Sequence, residues 1–312
     1  MRVLHVDENH KSLPDGLNAL GLVNDFDYTA SKEEIMQKID GYQGLVIRSR
    51  FPIDADFLDA AKSLKFIARV GSGLENIDTT YAQSKGIHVI SAPEGNSNAV
   101  AEHALGMLLT LFNKLIVVHH ELQDGVWQRE PNRGEEVDGK VIGLIGYGNT
   151  GKAFARKLQG FDVEVLCCDI LPDVEDRYAR QVSLETLQKE ADIISLHVPE
   201  TPQTTALIEH GFIEKTKKPF WIINTARGKN VVTKDLIEGL EKGKILGACL
   251  DVLEYEKSSF EEAQFTQKEL AYLLHSEKVI ISPHIAGWSH QSKVKLAQTI
   301  VDKVKKIFFD TP

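Results

Sequence analysis

The chain has 312 residues, enough for two domains, and is 42% hydrophobic and 26% charged, the ordinary balance of a globular enzyme. A net charge of −9 lacks the basic face that a nucleic-acid partner needs, but leaves an anionic small-molecule substrate open, because a site requires only local positive charge. No long uncharged apolar stretch could span a bilayer and the N-terminus carries no signal-peptide pattern, so no membrane partner is expected and the cytoplasm is the default location. The three cysteines, Cys167, Cys168 and Cys249, lie in apolar runs and read as reduced core thiols.

In chain order the first third alternates strands with helices. Val3 to Val6 reads as a strand. Ser31 to Ile39 reads as a helix with Ser31 as N-cap and Glu34 at capping-box spacing. Strands at Leu45 to Ile47, Phe66 to Val70 and Val89 to Ile90 alternate with helices at Ala55 to Ala61 and Ile77 to Ser84. This alternation predicts a parallel sheet with helices on both faces, and ligands then sit beyond the carboxyl ends of the strands. Two loops fall there: Arg48-Ser49-Arg50 and Val70-Gly71-Ser72-Gly73. Gly71 and Gly73 would let backbone N–H groups converge on an anion, although a surface charge pair and a plain turn are equally open readings.

Pro93 to Ala99, rich in Gly, Asn, Ser and Pro, is expected to be a crossover. Ala99 to Val118 follows as one long apolar helix, buried between domains or subunits. His119 and His120 are adjacent and would point apart on a helix, which argues against a metal site; none is expected. Gly125 to Val137 is loop-like, with Trp127 as its anchor. Further strands are expected at Val141 to Ile145, Val163 to Cys168, Ile193 to Val198, Phe220 to Ile223, Ile245 to Leu250 and Val279 to Ser282. A helix over Thr233 to Leu240 would take Thr233 as N-cap, and Ser289 to Phe309 would close the chain as one helix.

The stretch KVIGLIGYGNTGKAFARKLQGFDVEVLCCD organises the middle of the chain. An apolar strand runs into Gly146, Gly148 and Gly151 in GxGxxG spacing, then a helix, a second strand and Asp169. Gly146 allows the tight turn, Gly148 admits a pyrophosphate to the backbone and Gly151 lets helix and strand pack closely. The helix start near Asn149 offers free N–H groups to phosphate. Asp169 would accept from the adenosine ribose hydroxyls and oppose a 2′-phosphate, which favours NAD over NADP. A lone GxGxxG is weak; with strand, helix and acid in place it reads as a dinucleotide site.

Three later strand ends present Arg227, Glu256 and His284, and parallel strands put them on one edge of a sheet. Reduction of a 2-oxo acid needs such a set. Histidine can deliver the proton, a carboxylate beside an imidazole favours its protonated form and fixes its orientation, and arginine can fork onto a carboxylate. Asp251 is placed to accept from the nicotinamide carboxamide. Taken singly, these residues also read as a surface arginine, a solvated loop acid and a core histidine.

GYGNTG with Asp169, INTARG at 222–228, LDVLEYE at 250–256 and SPHIAG at 282–287 resemble the signatures of the NAD-dependent D-isomer-specific 2-hydroxyacid dehydrogenases, over essentially the whole chain. The resemblance implies Arg227 as substrate clamp, Glu256 as partner and His284 as acid/base. It puts Arg48, Ser49, Val70, Ser72 and Gly73 at the substrate, where Arg50 and its basic neighbours would bind a phosphate, and Gly148, Asn149, Thr150, Asp169, His197, Val198, Pro199, Thr204, Thr225, Ala226 and Asp251 at NAD. It implies two doubly wound parallel-sheet α/β domains: a Rossmann-type cofactor domain (98–287) inserted into a flavodoxin-like substrate domain (1–97 and 288–312). Closure of the cleft between them and a homodimer around the helix after Ala99 are also implied. GLVIRSR, RVGSGLENID and APEGNSNAVAEHALGMLL look most like the branch acting on D-3-phosphoglycerate. Glyoxylate or hydroxypyruvate reduction, or a non-catalytic NAD-sensing co-repressor role, are the alternatives. The sequence departs from the pattern at Lys257, where a proline is usual, and at Lys229-Asn230, where a glycine is usual. Residues 257–278 look longer than in the shortest relatives and read as a surface helix, with the flank of a lid as the alternative. With the chain ending at Pro312, no C-terminal regulatory domain is expected.

Overall fold

The computed structural model describes residues 1–256 and 267–310, and the chain divides into two compact units, treated separately below. Of residues 257–278, expected as a surface helix, 257–266 lie outside the described residues and Gln267–His275 is helical.

The first unit holds residues 1–97 and 288–310. Its elements are β1 (Arg2–His5), α1 (Ser12–Ala19), β2 (Val23–Phe26), α2 (Lys32–Lys38), β3 (Gly44–Ile47), α3 (Ala55–Ala60), β4 (Phe66–Arg69), α4 (Thr79–Ser84), β5 (His88–Ile90), the first turn of α5 (Pro93–Phe112) and the last helix, α12 (His290–Phe308). The strands are all parallel, in the order β2-β1-β3-β4-β5. That is the flavodoxin-like order, with its switch point between β1 and β3. One face of the sheet packs on Ile35, Phe57, Leu58 and Ala82 of α2, α3 and α4; the other packs on Leu13 and Leu17 of α1 and on Ala297, Ile300 and Val301 of α12. Strands covered on both faces are apolar throughout, as GLVI of β3 is. Each buried Leu, Ile or Phe contributes roughly 1.5–3 kcal/mol.

The expected capping box at Ser31 and Glu34 is formed in both directions. The elements α1 and β2 carry no clear sequence signal. Pro14 and Gly16 lower the helix propensity of α1, yet Gly16 is where Val301 of α12 comes within 2.7 Å of a would-be Cβ. β2 is a polar edge strand.

The second unit holds residues 98–256 and 267–287. After α5 come α6 (Leu115–Gln123), β6 (Val141–Ile145), α7 (Asn149–Lys157), β7 (Glu164–Cys168), β8 (Arg180–Gln181), α8 (Leu184–Glu190), β9 (Ile193–Leu196), α9 (His210–Lys215), β10 (Phe220–Asn224), α10 (Thr233–Glu241), β11 (Ile245–Leu250), α11 (Gln267–His275) and β12 (Val279–Ile281). The seven parallel strands run β12-β11-β10-β9-β6-β7-β8, a doubly wound Rossmann order whose switch point lies between β6 and β9. Ala104, Leu108 and Phe154 of α5 and α7 cover one face; Leu187, Phe212, Leu236 and Leu273 of α8 to α11 cover the other.

Three expectations are corrected. The 93–99 segment is helical, not a crossover: Pro93 sits at the helix start, where it has no N–H to lose, and Gly95 is where the backbone of Leu296 passes within 2.8 Å of a would-be Cβ. The long helix does not reach Val118 unbroken. It ends at Phe112, Lys114 takes a left-handed φ of 50°, and α6 leaves at 56°. No single described helix is long and apolar enough to cross a membrane, and α5 and α6 pass that test of length and composition only as this bent pair. Trp127 is 81% exposed, not the anchor expected. In addition, the cap of α10 is not Thr233. The carboxylate of Glu254 accepts from the Thr233 N–H at 2.7 Å.

Candidate active site

The glycine turn after β6 is shaped by three different demands. A Cβ on Gly146, where φ is +92°, would meet the carbonyl of His197 at the end of β9; one on Gly151 would meet the carbonyl of Gly146. A Cβ on Gly148 would meet nothing within 4 Å. Gly148 therefore opens the turn outward, and among the described residues no side chain caps α7, whose first peptide N–H groups come from Asn149, Thr150 and Gly151. This geometry suits a pyrophosphate. Asp169, at the end of β7, takes the N–H of Tyr147 at 2.7 Å and that of Leu171 at 3.0 Å, so the acid also braces the turn. The Tyr147 ring is buried beneath the turn; its hydroxyl donates to Asp176 at 2.7 Å, and burial raises its pKa.

Beyond β9, Val198, Pro199 and Thr204 form a loop stitched by Thr204, whose hydroxyl donates to the carbonyl of Pro199 at 2.6 Å. His197 is different. Its side chain turns into the core against Phe154 and Ser195, and burial pushes its pKa down to about 3, so it is a neutral core histidine with only its backbone at the loop. Beyond β10, Thr225 and Ala226 are buried. The Thr225 hydroxyl has no partner among the described residues, an orphan that a bound ligand could satisfy. Gly148 and Thr225 together make the unit fit a dinucleotide.

Arg227 is held by two fully buried asparagines that carried no assigned role in the sequence. Asn224 donates to the Arg227 carbonyl at 2.9 Å, and Asn230 accepts from the Arg227 N–H at 3.1 Å while donating to the Thr204 carbonyl. Asn230 thus uses one of the two departures from the family pattern to tie two loops together. Gly228 lies so close to the carbonyl of Leu253 that no Cβ fits, which draws the Arg227 loop against the loop carrying Glu256.

Glu256 and His284 meet. Oε2 of Glu256 lies 2.7 Å from Nδ1 of His284, and Oε1 accepts from the Leu253 N–H at 2.6 Å. His284 has φ 54°, a left-handed backbone that costs about 1–3 kcal/mol for a residue with a Cβ and persists only where its surroundings over-determine it. Asp251 supplies those surroundings. Its carbonyl accepts from the His284 N–H at 2.7 Å, and its buried carboxylate accepts from the N–H groups of Ile285 and Ala286 and from the Ser282 hydroxyl at 2.6–2.9 Å. The carboxylate that the sequence offers to a nicotinamide amide is thus encircled by donors of its own chain.

In the first unit, Arg48 follows β3 at the switch point and stacks on the exposed ring of Trp288 at 4.7 Å, a partner the sequence does not reveal. Ser49 beside it is half-buried. Arg50 is turned inward: its guanidinium donates to the carbonyls of Val6, Asp27 and Ala30, leaving little for a ligand. Val70 buries its side chain, and Ser72 donates to Asn96 at 2.6 Å with Gly73 half-buried beside it. Gly71 does not contribute to an anion cradle, because its N–H returns to the Arg69 carbonyl and the Arg69 guanidinium occupies the place of a Cβ.

Comparison with known proteins agrees with this architecture. Residues 105–286 match the family described as D-isomer specific 2-hydroxyacid dehydrogenase, NAD binding domain. A hydroxypyruvate reductase from Thermotoga maritima is 36% identical over 88% of this chain and 88% of its own length. A D-3-phosphoglycerate dehydrogenase from Archaeoglobus fulgidus is 32% identical over 97% of this chain, which spans only 56% of that protein. The structure of D-lactate dehydrogenase from Aquifex aeolicus complexed with NAD and lactic acid superposes with a TM-score of 0.81 at 28% identity, covering 98% of this chain and 94% of that one. The chain belongs to the D-isomer specific 2-hydroxyacid dehydrogenase family. Its second unit carries that family's NAD-binding domain, and its cofactor is NAD.

Proposed function

We propose that the protein interconverts a D-2-hydroxy acid and its 2-oxo acid. The observation that carries this reading is the 2.7 Å contact between Glu256 and His284 beside the Arg227 loop, in a unit built to hold NAD. The nicotinamide supplies the hydride acceptor or donor. His284 gives the proton to the new alkoxide in reduction, or takes it from the hydroxyl in oxidation, through the ring nitrogen not facing Glu256. Glu256 orients the ring and offsets its positive charge. In the second unit Arg227 is assigned the substrate carboxylate; in the first unit Arg48, Ser49, Val70, Ser72 and Gly73 are the proposed substrate residues. Gly146, Gly148, Asn149, Thr150, Gly151, Asp169, Val198, Pro199, Thr204, Thr225 and Ala226 hold the cofactor, and His197 and Asp251 support that site from within the fold.

Within this class, D-3-phosphoglycerate is the proposed hydroxy acid. Its support is the likeness to a phosphoglycerate dehydrogenase over 97% of the chain and the stacked guanidinium of Arg48, which has no carboxylate partner among the described residues. The second reading is hydroxypyruvate or glyoxylate reduction. It is favoured by Arg50, whose three carbonyl contacts remove one candidate phosphate ligand. Initial rates with 3-phosphohydroxypyruvate, hydroxypyruvate and glyoxylate, each with NADH, separate the two. A kcat/KM for phosphohydroxypyruvate at least tenfold above the others is expected. Preference for an unphosphorylated acid selects the second reading, and no turnover on any of the three sinks both in favour of an NAD-sensing scaffold. A homodimer is also proposed. The exposed Leu115, Ile116 and Leu122 of α6 support it, and sedimentation equilibrium tests it.

A further inference from the structure

His103 lies on α5, remote in sequence from every element of the proposed catalytic set. Its Nε2 is 2.8 Å from the Ser282 hydroxyl and 3.5 Å from Oδ1 of Asp251. Ser282 has one proton, and it points to Asp251 at 2.6 Å. The Ser282 oxygen must then accept from His103, which assigns the His103 proton to Nε2. The result is a directed chain, His103 to Ser282 to Asp251. It ends on the carboxylate that holds the N–H groups of Ile285 and Ala286. Met107, one turn further along the same face of α5, rests its sulfur against the Ser282 hydroxyl at 3.9 Å. Asp251 is 1% exposed, so each donor around it replaces water it has lost, and removing one loosens its hold on the others.

We propose that His103 is a positioning residue for the reaction: through Ser282 it fixes the Asp251 carboxylate, and through Asp251 it holds the loop that keeps His284 in its left-handed conformation facing Glu256. This inference rests on the reading of His284 as the proton-transferring group. His103 touches neither substrate nor cofactor in this role. The sequence gives no sign of it, because a histidine within an apolar helix reads as a packed core residue.

Three variants test the chain. His103→Leu removes the donor, His103→Gln returns an N–H near the position of Nε2, and Ser282→Ala cuts the relay one step later. Two readouts apply: kcat with saturating NADH and the best 2-oxo acid, and hydrogen–deuterium exchange of the peptide covering residues 283–287 by mass spectrometry. His103→Leu and Ser282→Ala are each expected to lower kcat about tenfold and to speed exchange of the Ile285 and Ala286 amides. His103→Gln is expected to recover both to within about threefold of the native chain. Native exchange rates in His103→Leu would overturn the inference, as would an equal loss of kcat in Leu and Gln variants that both exchange like the native chain. If the native chain itself turns over no 2-oxo acid, the reading of its function fails. The exchange data then decide the clamp alone: faster exchange in His103→Leu with recovery in His103→Gln upholds the hold on the loop, and unchanged exchange removes it.

Discussion

Glu256 divides its carboxylate between two tasks: Oε1 takes the N–H of Leu253 at 2.6 Å, and Oε2 faces Nδ1 of His284 at 2.7 Å. The first contact fixes the acid to its own loop, so the second fixes the histidine to that loop as well. Glu256→Gln keeps a group of the same shape at both places and removes the charge. Its kcat is expected to fall about tenfold or more, while His284→Ala should lose about 10²–10⁴-fold. NADH binding, followed by quenching of protein fluorescence, should be unchanged in both. A Glu256→Gln enzyme with native kcat would leave the pair without a catalytic purpose.

The two arginines after β3 should separate cleanly. Arg50 donates to three main-chain carbonyls that no other side chain among the described residues serves, so Arg50→Ala is expected to cost about 2–3 kcal/mol of stability in urea unfolding. Arg48 stacks on an exposed tryptophan, a contact worth only about 0.5–1 kcal/mol. Arg48→Ala should therefore fold normally and raise KM for the acid about tenfold or more, the loss of one charge-assisted contact. If Arg50→Ala instead raised KM with native stability, its inward contacts would not describe the working enzyme.

Gly228 is the point where the loops carrying Arg227 and Glu256 touch, and a Cβ there would run into the carbonyl of Leu253. Gly228→Ala must push the loops apart, at an expected cost of about 1–3 kcal/mol, comparable to overpacking a core. Because Arg227 and Glu256 lie on the loops that separate, activity should fall further than stability does. A variant with a native melting temperature and native kcat/KM would show that this close approach is not needed.

The fold was legible where elements are apolar and periodic. Strand, turn, helix, strand and acid from Val141 to Asp169 stand in the sequence almost as they stand in the structure, because each glycine has one steric purpose. The polar edge strand β2 and the proline-containing α1 were not legible, since α1 becomes a helix only through its packing on α12. At the site, the histidine–carboxylate pair follows from the order of strand ends. The roles of Asn224, Asn230 and Asp251 do not. They serve main-chain groups whose positions only the folded loops define. Arg48 and Arg50 show the limit most directly: two residues apart and alike in charge, one is turned to a surface ring and the other to main-chain carbonyls.

His197 gives the stability of the protein a defined acid dependence. Burial against Phe154 holds its pKa down to about 3, well below the ordinary 6.5 of an imidazole. The unfolded chain therefore binds a proton below pH 6.5 that the folded chain refuses until about pH 3. Stability is unaffected by this group above pH 6.5 and is lost as pH falls through the interval, by at most about 1.4 kcal/mol per pH unit. His5, buried in the first unit, is lowered by the same cause and adds in the same direction. Urea midpoints measured at pH 7.5 and pH 4.5 should drop steeply in the native chain and less steeply in His197→Asn, which has no titrating ring. The variant will start from a lower midpoint because its packing is poorer, so the comparison is between slopes. Equal slopes in the two proteins would mean that His197 is protonated without cost in the fold, and that its side chain reaches water.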